Sequence, residues 1–111
     1  MNFKELAENL GLEETEFFEL LGLFIKTSTS HLADLGKAIE TGDLDGVIKS
    51  SHTIKGAAGN LGLQDIYTLA KEIEMNARQG SLSGSDEAAK LMKDKLLFLQ
   101  LKLNQQIDKK L

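Results

Sequence analysis

Across 111 residues the chain contains no proline. Proline removes a backbone donor and clashes with the preceding helical turn, so its absence lifts the strongest local limit on helix length. The residues that abound instead, chiefly Leu, Lys, Glu and Ala, lose little freedom on entering a helix. Long uninterrupted helices are therefore favoured over a β sandwich. Hydrophobic residues at 41% suffice for a core and exclude a disordered chain. The length predicts a single domain over residues 1–111.

Glycines and caps divide the chain. Asn2 caps a short first helix in which Phe3, Leu6, Ala7 and Leu10 share a face, Glu5 reaches back to the cap, and Gly11 is the stop. A long helix is predicted from Glu13 to Thr41, with an acidic start that suits the positive end of the helix dipole. Phe17, Leu20, Leu21, Phe24, Ser28, Leu32, Leu35 and Ile39 form its apolar stripe. Asp43 caps a third helix over Leu44–Leu61, closed by Gly62, whose seam steps through Leu44, Val47, Ser51, Ile54, Ala58 and Leu61.

A fourth helix over Gln64–Gln79 buries Ile66, Leu69, Ala70, Ile73 and Ala77. Residues 80–85 make a loop rich in serine and glycine. The fifth helix, Asp86–Lys109, uses Ala89, Met92, Leu96, Leu99 and Leu103. The expected fold class is all-α, an antiparallel up-down-up-down four-helix bundle with the short N-terminal helix as a cap. Leu96 to Leu103 is apolar on more than one face, which marks either a dock for the first helix or a second contact surface.

Charge and composition close off several functions. A net charge of −4 argues against a nucleic-acid partner, because phosphate binding needs a basic face. No apolar run reaches the length of a membrane span and no charged-then-apolar leader opens the chain, so no membrane partner and a cytoplasmic location are expected. With no cysteine, disulfide and thiolate chemistry are both excluded. A di-iron bundle needs Glu-x-x-His pairs, but Ser28 precedes His31 and Lys49 precedes His52, so no metal site is expected. Nor do the glycines make a nucleotide loop, which requires a preceding strand and a Gly-Lys-Ser/Thr ending.

One stretch resists a purely structural reading: Ser51-His52-Thr53-Ile54-Lys55-Gly56-Ala57-Ala58-Gly59-Asn60-Leu61-Gly62. On a helix, His52, Lys55 and Gly56 lie on neighbouring surface one turn apart. Gly56 and Gly59 together cost the helix roughly 2 kcal/mol against alanine, so bare backbone is needed there. His52 falls about 100° from the middle of the seam, at its shoulder. A lone helical histidine is more often structural. His31 supplies the comparison, since Asp34 and Leu35 follow it and no equivalent constellation forms.

His52-x-x-Lys55-Gly56-Ala57-Ala58-x-x-x-Gly62 resembles the signature of histidine-containing phosphotransfer (HPt) domains of multistep phosphorelays. The Thr41-Gly42-Asp43 turn before it and the helix ending Ile73-Glu74…Arg78-x-Gly80 agree. The resemblance implies a phosphorelay intermediate with His52 as phosphoacceptor. It further implies that Glu74 accepts from Nδ1–H of His52, leaving Nε2 as nucleophile. Lys55 would set its charge near the phosphoryl oxygens. Gly56, Gly59 and Arg78 would line the partner's approach, although Gly59 also suits close helix packing and Arg78 could pair with Glu74. The implied partners are response-regulator receiver domains and a hybrid or upstream histidine kinase. The chain itself would be a monomer with no cofactor of its own, Mg²⁺ being supplied by the receiver. Two rivals remain: the phosphorylated N-terminal domain of a chemotaxis-type histidine kinase, and a helical adaptor that binds receivers without accepting phosphate.

Overall fold

The computed structural model describes residues 2–110, and all regular structure among them is helical. Five helices follow in order: α1 (Phe3–Asn9), α2 (Glu14–Thr41), α3 (Leu44–Leu61), α4 (Gln64–Arg78) and α5 (Ser85–Lys110). Their ends are set by local chemistry. Asn2 Oδ1 accepts from the Glu5 amide at 3.2 Å, and Asp43 Oδ1 accepts from the Gly46 amide at 3.0 Å. Glu16 reaches back to the Glu13 amide at 3.0 Å, so α2 begins one residue later than its acidic run. Gly42 and Gly62 take φ values of 70° and 74°, the left-handed geometry that ends a helix cheaply only at glycine.

The long helices form a four-cornered ring in which each packs on its sequence neighbour and α5 returns to α2. α3 and α5 therefore stand on opposite corners. α2 and α5, with 28 and 26 residues, outrun α3 and α4, with 18 and 15. They project together beyond the α3–α4 turn, and α1 fills the step. Phe3 sits there 5.8 Å from the Phe17 ring and 6.0 Å from the Phe18 ring, with the Lys102 ammonium 4.8 Å above it.

The core is one continuous cluster drawn from all five helices. On α2 it differs from the expected stripe. Leu20 is 43% exposed, while Phe18, Ile25 and Ala38 are buried beside Phe17, Leu21, Phe24, Ser28 and Leu35. The reason is tertiary: Phe18 is claimed by Phe3 from α1, which turns the buried face of α2 past Leu20. Around His52 the seam on α3 is buried as Val47, Ser51, Ile54, Ala58 and Leu61, which holds the helix in one rotation and fixes which residues look outward.

Candidate functional site

His52 lies at the middle of α3 with its side chain 60% exposed. Its Nδ1 is 3.0 Å from Oε2 of Glu74, which projects from the facing side of α4. The same Oε2 accepts from Arg78, at 3.0 Å from Nε and 2.7 Å from a terminal nitrogen. Lys55 Nζ lies 2.8 Å from the other oxygen, Oε1, a charge contact set off the line of a well-aligned hydrogen bond. One carboxylate thus collects three nitrogen-bearing side chains from two helices.

Glu74 is only 4% exposed. Burial alone would push its carboxyl up, but the contacts from Lys55, Arg78 and His52 outweigh that and hold it at about 2, down from 4.5. An ionised carboxylate can only accept. Nδ1 of His52 must therefore carry the hydrogen in this contact, and in the neutral ring the lone pair resides on Nε2. With one edge anchored and the ring mostly in solvent, the arrangement can present Nε2 to an electrophile brought by another molecule.

The two glycines differ. A Cβ built at Gly56 would meet nothing within 4 Å, so the surface beside the imidazole is open. A Cβ at Gly59 would lie 3.3 Å from the Tyr67 ring of α4. The room at Gly59 is thus taken by a close approach within the protein, in keeping with its packing role. Toward α2, His31, Asp34 and Lys37 face Lys49 and Thr53 of α3 across a groove of about 570 Å³. His31 is half-buried there and touches none of the His52 cluster.

Two links escape a one-dimensional reading. Lys55 rests on Glu74 rather than standing free beside the ring, and no local spacing joins those residues. Arg78 binds Glu74 at the same time as His52 does, where the sequence offered these as alternatives. The i,i+4 spacing of Glu74 and Arg78 was the available signal. Among the described residues no three His, Cys, Asp or Glu side chains gather as a metal-holding set.

Comparison with known proteins bears on this geometry. The pattern of the Hpt domain family matches residues 19–108. A stretch of 74 residues, 66% of this chain, is 32% identical to the phosphorelay intermediate protein rdeA of Dictyostelium discoideum. That stretch amounts to 29% of the curated relative, so this chain spans well under two thirds of its length. The crystal structure of histidine-containing phosphotransfer protein B (HptB) from Pseudomonas aeruginosa PAO1 superimposes with a TM-score of 0.76 at 27% identity, covering 94% of this chain and 90% of that one.

Proposed function

This chain belongs to the Hpt domain family, and on that premise we propose that it is a phosphorelay intermediate whose phosphoacceptor is His52. The observation that carries the reading is the contact between the exposed ring and the buried, ionised Glu74. The donor is an aspartyl phosphate on a receiver domain of a response regulator or hybrid kinase. Nε2 attacks phosphorus in line, the N–P bond forms as the P–O bond to the aspartate breaks, and the electron pair stays on the departing carboxylate. No proton need leave the ring, because Nε2 was already bare. The imidazole gains positive charge instead, and the Glu74 carboxylate at Nδ1 stabilises it where it develops. Transfer onward to a second receiver aspartate is the reverse step.

Lys55 stands one turn from His52 on α3, and Arg78 of α4 shares with the ring the Oε2 atom of Glu74. Each can turn from Glu74 to the phosphoryl oxygens, Lys55 as a point charge and Arg78 as a two-pronged donor. Gly56 leaves the receiver room to close over the ring. We assign Mg²⁺ to the receiver, where it would shield the phosphoryl oxygens during transfer. The absence of cysteine suits a cytoplasmic setting, and no helix among the described residues is long and apolar enough to cross a membrane.

The test is transfer itself. Receiver domains charged with acetyl phosphate should label the protein with an acid-labile, alkali-stable phosphate, and His52→Gln should abolish that label while far-UV circular dichroism stays unchanged. Labelling that persists in His52→Gln would move the site elsewhere. Tight receiver binding without any label would leave only an adaptor.

A further inference from the structure

The two cations on Glu74 do not hold it in the same way. Oε2 has three nitrogens on it, Nδ1 of His52 and the Nε and a terminal nitrogen of Arg78. Oε1 is sealed from solvent and accepts no aligned hydrogen bond. Among the described residues, Lys55 Nζ at 2.8 Å is the one group that brings charge to it. The Lys55 side chain is itself mostly covered, at 24% exposed, whereas that of Arg78 is 56% exposed. Moving Lys55 away strands a buried carboxylate oxygen, which is costly. Moving Arg78 away leaves Oε2 with the ring still on it.

Phosphorylation sharpens this difference. With His52 as phosphoacceptor, the new N–P bond gives the imidazole a positive charge while Nδ1 keeps its hydrogen. That charge appears against Oε2, the atom that Arg78 shares. The ring then supplies what the guanidinium supplied, and two cations on one oxygen repel. The same step sets an anionic phosphoryl group on the exposed edge of the ring. Nothing changes at Oε1, which the ring does not touch. Residue type points the same way. Arg78 is the only arginine of the chain, all the other Lys and Arg positions being lysine. Its planar fork matches a pair of phosphoryl oxygens, which a lysine meets only as a point charge.

We propose that Arg78 alone crosses from Glu74 to the phosphoryl oxygens as the ring becomes charged, while Lys55 stays on Oε1 throughout as a positioning residue. This division of labour rests on the assignment of His52 and departs from the expectation that Lys55 sets its charge near the phosphoryl group. Arg78 binds that group directly. Lys55 acts through Glu74, keeping the carboxylate ionised and turned to the ring once the other cation has gone. When the phosphoryl group leaves for a receiver, the ring loses its charge and Arg78 returns to Oε2.

Nuclear magnetic resonance of the full chain tests this, before and after charging by an acetyl-phosphate-loaded receiver at mildly alkaline pH. The Arg78 Nε–H signal, free of overlap because the chain has no other arginine, should shift on phosphorylation. The Glu74 carboxyl-carbon signal should move with either Arg78→Gln or Lys55→Met in the unphosphorylated chain, but with Lys55→Met alone in the phosphorylated one. In single-turnover transfer at saturating receiver, Arg78→Gln should be about ten- to a hundredfold slower than wild type, and Arg78→Lys should recover only part of that loss. An Arg78 signal unmoved by phosphorylation overturns the proposal, as does a wild-type rate in Arg78→Gln. So does a Glu74 signal that, in the phosphorylated chain, Arg78→Gln moves or Lys55→Met leaves in place. In each of these outcomes His52 still carries the label, whereas a wild-type chain that takes no label at all overturns the phosphoacceptor assignment itself.

Discussion

Glu74→Gln is the perturbation whose size the geometry fixes best. The folded chain holds this carboxyl at about 2 where the unfolded chain would hold it at 4.5. At 1.36 kcal/mol per pH unit, that difference makes the ionised group worth about 3 kcal/mol to the fold. Little is lost to solvent screening at Glu74, 4% exposed, although Arg78, with its side chain 56% exposed, contributes toward the low end. Against a total of roughly 5–15 kcal/mol for a domain this is a large share. The variant keeps an acceptor for Nδ1–H but gives up the charge that three cation-forming groups surround.

The pH dependence follows from the sign. Between 4.5 and about 2 the unfolded chain takes up the proton that the folded chain refuses, so the stabilisation is complete above that window and fades as pH falls through it. Urea unfolding of wild type and Glu74→Gln, followed by circular dichroism, should show a gap of about 3 kcal/mol at neutral pH. At about pH 3 the gap should have narrowed by about 2 kcal/mol. A gap of constant size at both pH values, or no gap at neutrality, would refute the account of Glu74 as a charge anchored by Lys55, Arg78 and His52.

Gly56→Ala should raise stability by about 1 kcal/mol, since the added methyl meets empty space and only helix propensity changes. Thermal melting reads this as a rise of about 4 °C. Gly56→Glu should melt close to wild type yet transfer phosphate several-fold more slowly in a stopped quench assay; an unchanged rate would remove that surface from the docking face. Gly62→Ala should instead cost about 1–2 kcal/mol in urea unfolding, because alanine at φ 74° is strained.

Much of the fold was legible because it was written locally. Asp43 and Gly62 mark both ends of α3, and the steps between Leu44 and Leu61 fix its buried face without reference to any neighbour. Leu20 was misread for the opposite reason. Periodicity alone cannot rank it against Phe18, and the choice is made by Phe3, distant in sequence and packed across the step. The candidate site divides the same way. His52, Lys55 and Gly56 share a helix and can be read together, and Glu74 was reached through family resemblance. That one carboxylate holds Lys55 and Arg78 while it holds the ring emerges only when α3 and α4 are laid side by side. The outer face of α5 was visible as excess apolarity, but the bundle had to close before it could be seen that α1 covers Phe17 and Phe18 and leaves Phe98 bare.

The match to the Hpt family begins at residue 19, downstream of the whole of α1. The plug over the projecting ends of α2 and α5 lies outside that match and is held by Phe3 against Phe17 and Phe18 and by the buried Ala7. A seal built from a separate helix closes the open end of the bundle without contacting His52 or Glu74 at its middle.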